Sequence, residues 1–206
     1  MPKKESPLTA LSPFLPEGSF DAVACYLQHY KVHLTITKER QSILGNYRNK
    51  FFNKAHRISV NGNLNKYTFL ITLLHEMAHL LAYEKYGNRI SSHGKEWKIE
   101  FGKILSEFIP KKIFPADIEK SLLLSLNDQA ATTCADPHLT RVLKKYDLQK
   151  KGYYFVEELP QGSLFRLNNG VIFKKGERVR KRFRCIEVAT KKIYLFSPVY
   201  EVALVS

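Results

Sequence analysis

Between Lys66 and Tyr86 the chain is apolar on every side of a helical wheel: Phe69, Leu70, Ile71, Leu73, Leu74, Met77, Leu80 and Leu81 leave no polar stripe. A helix apolar all round belongs in a core. Asn65 is placed to cap its start and Gly87 its end. Upstream, KVHLTIT alternates Val32, Leu34 and Ile36 with polar residues, the period of a half-buried strand. SILGNYR and HRISV predict two more strands, separated by the basic stretch NKFFNKA. Before them, Phe20, Val23, Ala24 and Leu27 share one face of a helix that Ser19 could cap. Downstream, Trp97, Phe101, Ile104, Leu105 and Phe108 keep a helical period until Pro110 stops it. Pro115 opens a third helix, ADIEKSLLLSL, with Asp117 and Glu119 in its first turn.

Residues 1–18 contain four prolines and are expected to form a flexible arm. NDQAATTCADP reads as the domain boundary, which divides the chain into residues 19–135 and 136–206. Past it, a short helical piece (HLTRVLKKYD) gives way to strand patterns: YYFVEEL, SLFRL, GVIFKK, RVRKRFRCIEV, KKIYLFS and YEVALV. The fold class is α+β: a helical domain with a small three-stranded sheet, followed by a small antiparallel β unit.

Charge sharpens this division. The net charge is +14, and from Arg141 to the end there are 15 Lys/Arg against 6 Asp/Glu, so the last third is the most basic part. Such an excess favours polyanionic partners, nucleic acid first. In ERVRKRFRC, Arg178, Arg180, Arg182 and Arg184 occupy alternate positions and would all face one side of a single strand, ~7 Å apart. That spacing roughly matches successive phosphates, and arginine suits bidentate phosphate contacts. Lys174, Lys175, Lys191 and Lys192 would enlarge the patch, and Phe173, Tyr194 or Phe196 could stack on bases if exposed. The competing reading is a solvated sheet face with all its aromatics in the core. Nothing in the stretch suggests base-specific contact. The three cysteines are widely spaced with no CxxC, which excludes a disulfide framework and fits a reducing cytoplasm. YTFLITLL is too short to cross a bilayer, and the opening MPKKESPLTALSPFLPEG does not read as a secretory signal.

The buried helix carries the chemistry. LLHEMAH sets His75 and His79 four residues apart on one face, with Glu76 on the adjoining face. Two imidazoles can hold one zinc ion, and the carboxylate reaches a water beside it without being a ligand. Chance would place HExxH in roughly one or two percent of chains of this composition. The context counts for more: two histidines and a glutamate in an apolar helix need partners, which zinc supplies. The alternative is a satisfied core in which both histidines bond to backbone or carboxylates. For a third ligand, His93 in SSHGKEWK follows at the mouth of the next helix; Glu84 is the acidic substitute. Trp97 could wall the site but is better read as core. Tyr83, Tyr86 or Arg48 could stabilise an oxyanion.

The runs LGNYR, RISVNGNLN, LLHEMAHLLA and SSHGKEWK together resemble the SprT-like metalloprotease domain, the family that includes Spartan-type DNA–protein crosslink proteases, over about residues 20–130. The resemblance implies a zincin-like fold, one zinc ion on His75, His79 and His93, and Glu76 as general base. It also implies a shallow cleft suited to flexible protein near DNA. Many relatives end in a zinc ribbon with two CxxC pairs; here Cys134, Cys185 and His138 are too few ligands, so the terminal β unit resembles that ribbon without its metal. The expectation is a cytoplasmic zinc endopeptidase for DNA-bound or DNA-crosslinked proteins, docking on DNA, single-stranded DNA included, with no membrane partner. The other class is a nucleic-acid-binding or scaffold protein whose zinc site has little or no activity. Oligomeric state is open.

Overall fold

A computed structural model describes residues 6–40, 43–50, 55–127, 136–148 and 152–205. Its contacts divide the chain into two units, Met1–Asp147 and Leu148–Ser206. The division therefore falls after the short helix that was expected to open the second domain at residue 136.

In the first unit, helix α1 (Phe20–His29) buries Val23 and Leu27. Strands β1 (His33–Thr37), β2 (Gly45–Arg48) and β3 (Arg57–Asn61) form a sheet in the order β1-β3-β2, with β1 parallel and β2 antiparallel to β3. Helix α2 (Lys66–Tyr86) packs against β2 and β3 on one side and α3 (Lys95–Phe108) on another. Its cap is the expected one: Asn65 Oδ1 accepts from the Thr68 N–H at 2.9 Å, and Gly87 ends the helix with φ of 73°. Phe69, Leu70, Leu73, Leu74 and Met77 are all buried, each contributing about 1.5–3 kcal/mol of apolar transfer free energy.

Ser19 does not cap α1. Its hydroxyl turns back and donates to Pro16 O at 2.7 Å. Nor are residues 1–18 a flexible arm throughout, since Leu8–Phe14 form a 3-10 helix. Leu11 and Leu15 are buried in the core, and the Phe14 ring lies 5.4 Å from that of Phe69. Leu8, Leu11 and Phe14 recur every third residue, the 3-10 period, and their burial outweighs the proline content. Met1–Glu5 lie outside the described residues.

Helices α4 (Ala116–Asn127) and α5 (Pro137–Lys144) complete the unit. Ser121 Oγ meets His138 Nδ1 at 2.8 Å, and the Ser125 hydroxyl donates to the Asp136 carboxylate. Asn65 Nδ2 donates to Leu143 O and to Asp147 Oδ1, which ties the start of α2 to the end of α5. These bonds explain why α5 belongs with the first unit, and they use His138. Cys134 lies outside the described residues.

The second unit is a six-stranded antiparallel sheet in the order β4-β9-β5-β6-β7-β8, from β4 (Tyr153–Phe155), β5 (Leu164–Arg166), β6 (Ile172–Val179), β7 (Arg182–Glu187), β8 (Ile193–Phe196) and β9 (Glu201–Leu204). It closes over Val156, Leu159, Phe165, Phe173, Cys185, Phe196 and Val202. Among the described residues, no helix is long and apolar enough to cross a membrane.

Candidate metal centre

Helix α2 presents His75 and His79 one turn apart, and the turn before α3 brings in His93. The three Nε2 atoms converge: His79 to His75 at 3.3 Å, His79 to His93 at 3.0 Å, and His93 to His75 at 2.9 Å. Burial, reinforced by the neighbouring rings, lowers the His75 pKa to about 3. Burial and His93 lower that of His79 to about 4. His93 is lowered by burial and then by Lys98. A neutral imidazole has one donor and one acceptor nitrogen, so three mutually adjacent Nε2 atoms cannot all pair with one another. One cation can accept all three lone pairs. A tetrahedral zinc with bonds of ~2.0–2.1 Å holds its nitrogens ~3.3 Å apart, so the donor set and its spacing fit zinc.

His93 pays for its place with a left-handed backbone, φ of 61°, which costs a non-glycine residue about 1–3 kcal/mol. Gly94 follows it for want of space: a Cβ there would lie 3.0 Å from Ser91 O. Trp97 is 1% exposed and packs its ring 4.6, 4.8 and 5.4 Å from those of His75, His93 and His79. It is both core and floor of the site. His75 Nδ1 and Trp97 Nε1 are buried with no hydrogen-bond partner.

The family model that matches this chain is that of the SprT-like family, over residues 20–117. Residues 20–117 are a SprT-like domain. No curated protein and no solved structure matches the chain significantly.

Within the SprT-like domain, Glu76 is buried, which raises its carboxyl pKa to about 7 against the opposing pull of the Tyr47 backbone N–H and Arg40. Strand β2 presses on this carboxylate. A Cβ at Gly45 would lie 2.7 Å from Glu76 Oε1 and 2.7 Å from Thr72 Cγ2, so only glycine lets the strand come this close. Arg40 braces the segment before β2 through Nε to Asn61 Oδ1 at 2.8 Å and Nη1 to Ser59 Oγ at 3.0 Å. Glu84 does not join the triad; it pairs with Lys50 Nζ at 2.8 Å and His56 Nε2 at 3.3 Å. Tyr86 turns its hydroxyl to Glu100 Oε1 at 3.4 Å. Tyr83 packs on the Tyr47 and His56 rings, and Arg48 is exposed. Tyr47 and His56 were not picked out by sequence reasoning. The strand period that placed Tyr47 beside Gly45 was the available signal.

In the second unit the arginine run is a hairpin, not one strand. Strand β6 ends at Val179, Arg180 and Lys181 form the turn, and β7 begins at Arg182, with Arg178 paired to Phe183 and Val179 to Arg182. Paired residues share a face, so Arg182 and Arg184 lie opposite Arg178. The cause is a register shift between Lys175 and Arg178. It sits at Gly176, where a Cβ would collide with the Arg184 carbonyl.

Lys175 is removed from the surface set. It is 5% exposed, and its ammonium donates to Glu157 O at 3.2 Å and to Leu159 O, over the Phe183 ring. Phe173 and Phe196 are core as well, while Tyr194 is exposed. Lys174, Arg178, Arg180, Arg182 and Arg184 are exposed. Lys174, Arg182 and Arg184 share their face with exposed Leu164, Ile186, Ile193 and Leu195.

Proposed function

We propose that the SprT-like domain is a zinc-dependent endopeptidase, with His75, His79 and His93 holding one ion and Glu76 as general base. The convergence of three imidazole nitrogens within 3.3 Å, beside a buried carboxylate that is not one of them, carries this reading. Bound zinc would polarise a peptide carbonyl and acidify water. Glu76 accepts a proton from the attacking water at its carboxylate and returns it to the leaving amine. Tyr47 N–H and Arg40 favour the ionised form of that carboxylate. Trp97 excludes water from beneath the triad. Strand β2 is a sheet edge, and the Leu44 carbonyl accepts from the Asn61 N–H. The main-chain groups of Gly45 and the Tyr47 carbonyl consequently face away from β3, where an extended substrate segment can align; the Tyr47 N–H is taken by Glu76.

The exposed cations of the C-terminal unit, Lys174, Arg182 and Arg184 on one face, Arg178 on the other and Arg180 in the turn, support docking on DNA phosphates without sequence reading. The substrate class is then protein bound or crosslinked to DNA, and the setting the cytoplasm. Glu76→Gln tests the first part: it should keep one equivalent of zinc and lose about 10²–10⁴-fold in cleavage. Wild-type cleavage no higher than the background left in the mutant would leave a nucleic-acid-binding scaffold as the reading. A DNA titration at several salt concentrations tests the second part, and a flat salt response sinks phosphate docking.

A further inference from the structure

Tyr47 is tied at three points to groups around the metal centre. Its backbone N–H donates to the Glu76 carboxylate. Its ring lies parallel to that of His79, at 5° and 6.5 Å between centroids. Its hydroxyl meets His56 Nδ1 at 3.0 Å. His56 is 4% exposed, and its other nitrogen is 3.3 Å from Glu84 Oε1. A carboxylate only accepts, so Nε2 of His56 carries the proton and Nδ1 is left as acceptor. The direction of the chain follows: the Tyr47 hydroxyl donates to His56, and His56 donates to Glu84. Glu84 is held in turn by Lys50 at 2.8 Å.

The geometry along the strand gives this chain its purpose. Strand β2 runs along α2, with Gly45 against Thr72 and Glu76, Tyr47 against His79 and Tyr83, and Lys50 against Glu84. Asn49 Nδ2 extends the line to Asn88 Oδ1 at 3.2 Å, just past the helix. As an edge strand, β2 has a ladder on one side only. The polar ties to α2 add to the close packing at Gly45 in holding its height over the helix. The hydroxyl proton of Tyr47 is committed to His56, so this residue does not serve as the oxyanion donor.

We infer that Tyr47, anchored by His56 and Glu84, is a positioning residue that sets the Glu76 carboxylate and the His79 ring for the metal centre. The inference rests on the peptidase reading above. Such partners around a metal site typically change affinity or activity by about 10–100-fold when removed.

The test uses the full chain, loaded with zinc for kinetics and with Co²⁺ for spectroscopy. Tyr47→Phe keeps the ring and the backbone N–H and removes only the hydroxyl. The expected result is full metal content, kcat lowered about 10-fold at unchanged KM, and a shifted visible Co²⁺ spectrum. Glu84→Ala should move both readouts the same way, and the double variant should add little, because the two residues act through one chain. Wild-type kcat and an unchanged spectrum in Tyr47→Phe would overturn the inference. So would a lowered melting temperature with both readouts unchanged. Wild-type protein that binds neither metal would instead overturn the peptidase reading itself.

Discussion

Gly45→Ala is a one-carbon test of how β2 and Glu76 depend on each other. The new Cβ would lie 2.7 Å from Glu76 Oε1, 2.7 Å from Thr72 Cγ2 and 2.9 Å from Glu76 Cγ, where ordinary contact begins at 3.4 Å. About 0.7 Å of clearance must be found by lifting the strand or swinging the carboxylate. Overpacking of this kind costs about 1–3 kcal/mol, and the lower unfolded-state entropy of alanine returns about 0.4–1 kcal/mol. A net loss of about 1–2 kcal/mol corresponds to a fall of about 2–8 °C in Tm for a unit of this size. Catalysis should suffer more, because misplacing a reacting group by ~1 Å can cost 10²-fold. Thermal melts, zinc content and turnover of the same preparation check this. Full turnover with an unchanged melt would mean that β2 does not set the position of Glu76.

Other expectations follow from the same geometry. His93→Ala leaves two nitrogens from one helix; zinc content after dialysis should fall well below one equivalent while the far-UV spectrum is retained. In metal-free protein, His75 and His79 have pKa values lowered to about 3 and about 4. Their neutrality stabilises the fold above the ordinary histidine value, and this contribution is lost as pH falls from there toward those values. Glu76, raised to about 7, works oppositely: its contribution is present below the ordinary carboxyl value and lost as pH rises through 7. Four lowered histidines, His56 together with the three of the triad, outnumber one raised carboxyl, so urea denaturation of the metal-free chain should show lower stability at pH 5 than at pH 7. Replacing His79 with Gln should shrink that difference; equal stability at the two pH values would contradict the assignment. Lys175→Ala should destabilise the second unit by about 2–3 kcal/mol, since two carbonyls lose a charged donor. Nucleic-acid affinity should be retained at temperatures where it stays folded, whereas Arg182→Glu should weaken binding and flatten its salt dependence.

Legibility tracked how local the signal was. Helix α2 was readable to the residue because Asn65, Gly87 and an unbroken apolar wheel all agree. His93 was legible as a neighbour of the next helix start, although its left-handed backbone was not. The Arg178–Arg184 run misled because alternation describes one strand equally well as two strands around a two-residue turn. Only pairing, set by the crowding at Gly176, decides between them. Lys175 shows the same limit: a lysine's own letter says surface, and the carbonyls that draw it inward lie 16 and 18 positions away. Tyr47 and His56 were hard to read because neither neighbours the histidine motif in sequence, and only the strand period linking Tyr47 to Gly45 hinted at the first. Sheet pairing brings them to it.

The site divides its donors between two kinds of backbone. His75 and His79 stand on a helix with twelve buried residues, while His93 sits at a turn in a left-handed conformation it does not prefer. Local opening is least costly at such turns. Loss of the ion should therefore begin as a latch released at Ser91–Gly94, with two nitrogens still in place, and recapture should require only that the same turn close again. Retention of an ion would then depend on the Ser91–Gly94 turn, adjustable without touching the helix that carries His75 and His79.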